Sequence, residues 1–354
     1  MSAVLEGLAH PVVLAPMAGG PSTPALAAAV SAAGGLGILA GAYRAPDDLR
    51  ADIAAARELT RAPLGLNLFV PDRRVASPDA VAAYAARMAS EGERYGAAPA
   101  GLSPDDDDRW DEKLAIAAEG RIQVLSLTFG CPDPAALEGV RRAGAEVWIT
   151  VNRADEAEEA AAAGADALVV QGIEAGGHQG GWHEPDDAPG LGLIALLRQV
   201  SRRVVLPVVA AGGLTDAEAV AAALAAGADA AQAGTAFLLA DEAGTHPAYR
   251  AALEAGGRTA LTRAFSGRTA RGLRNRFMRE HDAHAPPAYP EVQQLTGPVR
   301  AGARAAGDAE GMSLWAGQAV DLAPSGPAGE IVVALADGAR AALADAARRA
   351  GGWD

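Results

Sequence analysis

Ala163-Gly-Ala-Asp-Ala-Leu-Val-Val170 and Ala226-Gly-Ala-Asp-Ala-Ala-Gln232 share one local pattern. An alanine-rich helix ends at a glycine, and a short apolar run follows. Arg142-Ala-Gly-Ala-Glu-Val-Trp-Ile-Thr150 and Ser31-Ala-Ala-Gly-Gly-Leu-Gly-Ile-Leu39 repeat it. Glycine just past a helix end supplies the left-handed turn that sends the chain back. The runs that follow lack polar alternation, which suits strands buried on both faces. Repeated helix–glycine–strand units predict parallel strands joined by crossover helices.

Working outward, the pattern predicts eight strands near 12–15, 36–39, 64–70, 122–127, 146–151, 167–171, 206–211 and 229–233. Helices are expected near 23–33, 46–60, 78–98, 133–143, 154–163, 191–202 and 215–226, and a closing amphipathic helix over 328–350. Eight such units favour a closed (β/α)8 TIM barrel, an α/β fold, over an open doubly wound sheet. Two stretches exceed one unit. Residues 73–121 contain the acidic run Asp105-Asp-Asp-Asp108, expected as a solvated helix start, and 242–310 contain Ala285-Pro-Pro-Ala-Tyr-Pro290. They are expected to form a smaller inserted cap domain, with 1–72, 122–241 and 311–354 making the barrel.

Composition narrows the function. The chain of 354 residues has 30 basic and 44 acidic side chains, a net charge of −14. That disfavours nucleic acid and anionic membranes as partners. Cys131 is the single cysteine, so neither an intramolecular disulfide nor a four-cysteine metal site is expected, and a cytoplasmic setting fits. The N-terminus lacks a secretory pattern, and no apolar run is long enough to span a bilayer. Lys113 is the only lysine, and no Gly-Lys-Ser/Thr phosphate loop exists. Homo-oligomerisation is left open.

A barrel places its site at the C-terminal ends of its strands. The segments there are Ala15-Pro16-Met17-Ala-Gly-Gly20, Asn67, Ser126-Leu-Thr-Phe-Gly-Cys-Pro132, Gln171 with the loop through Gly176, Gly177 and His178, Ala211-Gly212-Gly213, and Gln232-Ala-Gly234-Thr235. Small residues let backbone amides approach a bound group. The last two segments follow strands seven and eight, where barrels often hold phosphate. His178 sits in a glycine-rich loop with little bulk to bury an imidazole, and histidine serves as a proton acceptor near neutrality. Glu174 either orients that loop or is solvated. His183 has poor metal spacing to His178, and His281, Asp282 and His284 fit a solvated helix end better than a metal site; no metal is expected. His10 and His246 precede prolines and read as turn residues. Gly35-Leu-Gly-Ile-Leu-Ala-Gly41 begins a strand instead of following one, so it is not a dinucleotide fingerprint. No Gly-x-Ser-x-Gly elbow occurs.

Together these segments resemble the nitronate monooxygenases, formerly grouped as 2-nitropropane dioxygenases. The resemblance runs in order through Ala15-Pro-Met-Ala-Gly-Gly20, Asn67, Ser126-Leu-Thr-Phe-Gly-Cys-Pro132, Gly172-Ile-Glu-Ala-Gly-Gly-His178, Ala210-Ala-Gly-Gly213, Ala233-Gly-Thr235, Phe265-Ser-Gly-Arg268, Asn275 and Trp315-Ala-Gly-Gln318. It implies FMN across the barrel top, with Met17 at the ring and Asn67 and Gln171 at its edge or ribityl chain. It implies that Gly177, Gly212, Gly213, Gln232, Gly234 and Thr235 line the phosphate end, and that His178 is the catalytic base. The implied activity is oxidation of alkyl nitronates, and of nitroalkanes, with O2 to a carbonyl compound and nitrite. Arg268 and Asn275 are expected in structural or lining roles. The family's further active-site tyrosines and lysine lack a clear counterpart, with Tyr249 and Tyr289 only loose candidates. An FMN-dependent NAD(P)H oxidoreductase on the same barrel, an enoyl-thioester or quinone reductase, is the alternative; a non-catalytic flavin binder is the other.

Overall fold

A computed structural model describes residues 2–71, 77–98, 101–103, 105–182 and 190–351. The expected boundary at 72/73, His183 and the C-terminal residue 354 lie outside the described residues. Eight parallel strands form the central sheet: β1 Val12–Leu14, β2 Gly37–Ala40, β3 Leu64–Phe69, β4 Val124–Thr128, β5 Glu146–Val151, β6 Ala167–Gln171, β7 Val208–Ala211 and β8 Ala230–Ala233. From β2 each pairs with the next through β8, and β8 pairs back to β1 with Val12 opposite Ala231. The seam between β1 and β2 is closed by backbone bonds, Leu14 N to Leu36 O at 2.9 Å and Leu36 N to Val12 O at 3.0 Å. The sheet is therefore a closed (β/α)8 barrel, as the glycine-punctuated repeats predict.

The pleat sorts each strand into two sets. Val12, Leu14, Leu64, Leu66, Leu68, Leu125, Leu127, Leu168 and Val170 pack outward into the shell beneath the helices. Val13, Ile38, Val124, Trp148, Val169, Val209 and Ala230 form a separate inner cluster, sealed by Val4, Leu5 and Leu8 of the N-terminal segment. Glu146 ties that plug together, accepting from Trp148 Nε1 at 2.9 Å and Val4 N at 3.0 Å. The period of two then aims the last inward residues, Asn67, Gln171, Ala211 and Gln232, at the barrel's C-terminal mouth.

Helix Pro78–Glu93 packs against helix Glu291–Ala305. Their shared core contains Val81, Tyr84, Met88, Phe265, Phe277, Val292 and Val299, and the Tyr84 hydroxyl donates to Ala264 O at 2.6 Å. Helix Trp110–Ala117 belongs elsewhere: Leu114, Ile116 and Ala117 pack into the barrel's outer shell. Strands Thr259–Thr262 and Ala270–Leu273 form an antiparallel ribbon, which Gly177–His178 extends to three strands. The closing helix, Ala328–Ala350, lays Ile331, Val332, Leu335 and Ala339 on the barrel shell. The helix expected over 78–98 stops at Glu93, and that expected over 133–143 is a 3-10 turn, Pro134–Leu137, followed by Glu138–Arg142.

The acidic run is not only a solvated helix start. Asp108 pairs with Lys113, whose Nζ lies 2.6 Å from Asp108 Oδ1, and accepts from Tyr43 N at 3.2 Å. Lys113 is 1% exposed. A buried ammonium that loses its carboxylate keeps its desolvation penalty without compensation. Asp108→Asn is therefore expected to lower the unfolding free energy by about 3 kcal/mol, read from the urea midpoint. An unchanged midpoint would show that this pair does not hold the segment.

Candidate active site

A cavity of about 450 Å³ opens at the C-terminal mouth of the barrel. Ala15, Pro16, Met17, Asn67, Gln171, Gly176, Gly177, His178, Ala211, Gly212, Gly213, Gln232, Gly234 and Thr235 all line it. Residues spread over 220 positions of sequence thus meet because each terminates an adjacent strand or begins the loop after one.

One end is built from backbone. Gly212 and Gly213 hold φ of 113° and 72°, the left-handed region. A Cβ on Gly212 would lie 3.1 Å from Ala175 N, and one on Gly213 would lie 3.2 Å from Glu174 Cβ. Glycine is required there by conformation and by the close approach of the 172–176 loop. Among the described residues the amides of Gly212, Gly213 and Gly234 have no protein acceptor. The Thr235 hydroxyl accepts from Gly317 N at 3.0 Å, so it also anchors the segment after Trp315. Glu174 orients the loop: its carboxylate accepts from Leu193 N at 3.0 and 3.1 Å and caps helix Leu193–Val200.

The middle is polar and held in place. Asn67 Nδ2 reaches Ser126 O at 3.1 Å and Thr128 Oγ1 at 3.0 Å, which orients its amide. Gln171 Oε1 accepts from Gly180 N at 2.7 Å and Asn152 Nδ2 at 3.0 Å, and its Nε2 donates to His178 O at 3.2 Å. The Gln171 side chain is therefore a brace for the histidine loop. Gln232 Oε1 is buried and, among the described residues, has no donor. A bound group with a hydroxyl or amide would satisfy it.

His178 lies at the other end. Its backbone pairs with Ala270 in the ribbon, and its Nε2 is 2.8 Å from Ser266 Oγ. Phe69, Phe129, Tyr289 and Trp315 surround the ring at centroid distances of 6.1, 5.6, 6.4 and 5.7 Å. Arg268, 1% exposed, stacks on Phe129 at 3.9 Å and donates to Gly181 O at 2.7 Å. Burial, then the Arg268 and Arg300 guanidiniums, push the His178 pKa down to about 3. The imidazole is therefore neutral throughout the physiological range.

Arg300 was not legible as a site residue. Helix Glu291–Ala305 carries it to the cavity wall, where Nε donates to Thr296 Oγ1 at 3.1 Å and one terminal nitrogen to Gln293 O at 3.0 Å. Arg304, one turn on, also lines the cavity and donates to Gly19 O at 2.9 Å. No carboxylate lines the cavity among the described residues, although the whole chain carries −14. The i,i+4 arginine spacing was the available signal, but nothing in sequence indicated which face of that helix turns inward.

Several other candidates are held by structural bonds, and Tyr249 also lines the cavity. Asn275 caps helix Arg276–His281, accepting from Met278 N at 3.1 Å. Tyr249 is buried and its hydroxyl donates to Trp315 O. Tyr289 donates to the Tyr43 hydroxyl at 3.2 Å, bridging the two insertion-side and barrel-side loops. His246 caps helix Pro247–Ala255, as a turn residue should, and also lines the cavity. His281 corrects the expected solvated helix end: it is 5% exposed and packs on Phe277. Glu91, Glu280 and His281 converge; Arg276 pairs with both carboxylates, and Arg94 also reaches Glu91 at 3.6 Å.

Comparison with known proteins agrees with this layout. Residues 2–338 match the family described as nitronate monooxygenase. The nitronate monooxygenase of Pseudomonas aeruginosa is 40% identical over 346 residues, covering 94% of this chain and 97% of that one. The crystal structure of nitroalkane oxidase from Streptomyces ansochromogenes is 46% identical, with a TM-score of 0.93, covering 97% of this chain and 99% of that one. FabK from Thermotoga maritima is more distant, at 28% identity and a TM-score of 0.75, covering 100% of this chain and 98% of that one.

Proposed function

Since the chain belongs to the nitronate monooxygenase family of flavin-dependent oxidoreductases, we propose that it binds FMN and oxidises alkyl nitronates, and nitroalkanes after deprotonation, with O2 to a carbonyl compound and nitrite. One observation carries the reading: a neutral histidine and the Arg300 and Arg304 guanidiniums share a cavity wall that, among the described residues, holds no carboxylate. Such a wall favours an anion, and a nitronate is the anion of a nitroalkane. Removal of the α-proton by His178 creates that anion in the cavity that Arg300 lines, whose charge favours the product of the transfer. The aromatic neighbours of His178 give the proton's path apolar surroundings.

The residues present fit a flavin mononucleotide. The Gly212, Gly213 and Gly234 amides and the Thr235 segment suit a phosphate without a lysine. Gln232 Oε1 wants a donor such as a ribityl hydroxyl, and Asn67 and Met17 face the space between. Bound flavin supplies the electron acceptor. Helix Pro78–Glu93 and residues 242–310 act in this reading as the cap that brings Arg300 to the substrate, while helix Trp110–Ala117 of the expected 73–121 insertion packs on the barrel shell; the core shared by helices Pro78–Glu93 and Glu291–Ala305 supports it.

The purified protein is expected to be yellow and to release FMN, not FAD, when denatured and chromatographed against both standards. Colourless protein that takes up no added FMN would overturn the cofactor assignment. The likeness to FabK makes one rival concrete. Under anaerobic mixing, flavin reduction is expected with nitronates and not at comparable rate with NADH; rapid bleaching by NADH alone would favour a reductase.

A further inference from the structure

We propose that Ser266 is a positioning residue, which keeps the proton of neutral His178 on Nε2 and leaves Nδ1 facing the cavity as the basic atom. The inference rests on the reading above, in which His178 accepts the substrate's α-proton.

Ser266 is 0% exposed, and its Oγ makes three contacts. It lies 2.8 Å from His178 Nε2, 3.3 Å from Arg268 N and 3.2 Å from Arg268 O. A backbone N–H only donates, and a carbonyl only accepts. One arrangement satisfies all three contacts together. The hydroxyl proton goes to the Arg268 carbonyl, one oxygen lone pair takes the Arg268 N–H, and the other takes an Nε2–H. A neutral imidazole has a single N–H, so Nδ1 is then unprotonated. Nδ1 has no hydrogen-bond partner among the described residues, and His178 lines the cavity.

The rest of the loop prevents exchange of the two nitrogens. The His178 backbone is held by pairing with Ala270 and by Gln171 Nε2 at its carbonyl, 3.2 Å away. Phe129 and Trp315 pack around the ring. A ring flip would break the Ser266 bond inside a buried pocket. The proton transfer balances simply. The substrate's α C–H bond breaks, its electron pair stays on the substrate as nitronate, and the proton forms the Nδ1–H of an imidazolium. Nε2–H donates to Ser266 before and after, so Ser266 need not rearrange during the step.

The test uses the FMN-loaded full chain with 15N-labelled histidine. Two-bond 1H–15N spectra at neutral pH report which ring nitrogen bears the proton, with the His178 signals identified by their absence in His178→Asn. Wild type is expected to show protonated Nε2 and unprotonated Nδ1. Ser266→Ala is expected to mix the tautomers and to lower nitroalkane kcat by roughly tenfold, the scale of one lost hydrogen bond, with nitronate kcat falling less. Ser266→Thr keeps the hydroxyl and is expected to restore the tautomer and the ratio of the two activities. A wild-type proton on Nδ1 overturns the proposal whatever the variants do. So does a Ser266→Ala protein with unchanged tautomer and unchanged nitroalkane-to-nitronate ratio. Failure of wild type to oxidise either substrate would refute the assigned activity instead, and the spectra would still decide the role of Ser266.

Discussion

His178→Asn is expected to lower turnover of neutral nitroalkanes by roughly 10²–10⁴-fold, the usual contribution of a general base. Preformed nitronates have already lost the proton, so their turnover should fall far less. Steady-state oxygen uptake with each substrate pair gives both numbers. Equal losses on the two substrates would make His178 a binding or shaping residue. The pH dependence follows from the direction of its shift. The base works unprotonated, and its pKa is depressed from 6.5 to about 3. Nitroalkane turnover should therefore show no acid limb near pH 6 to 7, where an ordinary histidine would impose one; the loss belongs near pH 3. A limb in the ordinary histidine range would mean that burial and the guanidiniums do not depress the pKa of this ring. Stability is linked to the same shift. In the unfolded chain His178 takes up a proton near the ordinary 6.5, and in the fold it does so only near 3. Its neutral burial thus costs the folded state progressively as pH falls from 6.5 toward 3, and the cost vanishes above 6.5. His178→Asn should flatten that part of the stability profile.

Gly213→Asp is expected to weaken FMN binding tenfold or more. The substitution places a carboxylate where the Gly212 and Gly213 amides face the cavity, and charge repulsion acts directly against a phosphate dianion. The backbone adds a second effect, because φ at Gly213 is 72° and a Cβ would lie 3.2 Å from Glu174 Cβ. Gly213→Ala separates the two, since it carries the strain without the charge. Titration of flavin-free protein with FMN should rank wild type tightest, Gly213→Ala next and Gly213→Asp weakest. Equal affinity for the two variants would show that backbone strain alone is responsible, and three equal affinities would place the phosphate elsewhere.

What the sequence determined by itself is the barrel and its rim. The glycines that end several helices and the unbroken apolar runs that recur along the chain are local signals, set by backbone conformation and burial, and together they located all eight strands to within a few residues. The pleat then dictated which residue at each strand end faces inward. That is why Asn67, Gln171, Ala211 and Gln232 reach one cavity although they are distant in the chain. Glycines at 212 and 213 were readable for the same reason: a left-handed conformation beside a close-packed loop admits little else. Tertiary structure decided what stands opposite that rim. Arg300 and Ser266 belong to the 242–310 insertion, and their roles depend on how a helix and a turn dock across the barrel mouth, which no local period encodes. Charge usually stays in water, so the buried Lys113 and the buried His281 both need a tertiary reason. Asp108 buries the first by pairing with it, and packing against Phe277 beside Glu91 buries the second. The basicity of His178 was likewise invisible in the chain order, since it is set by burial and by two guanidiniums that approach from 90 and 122 positions away.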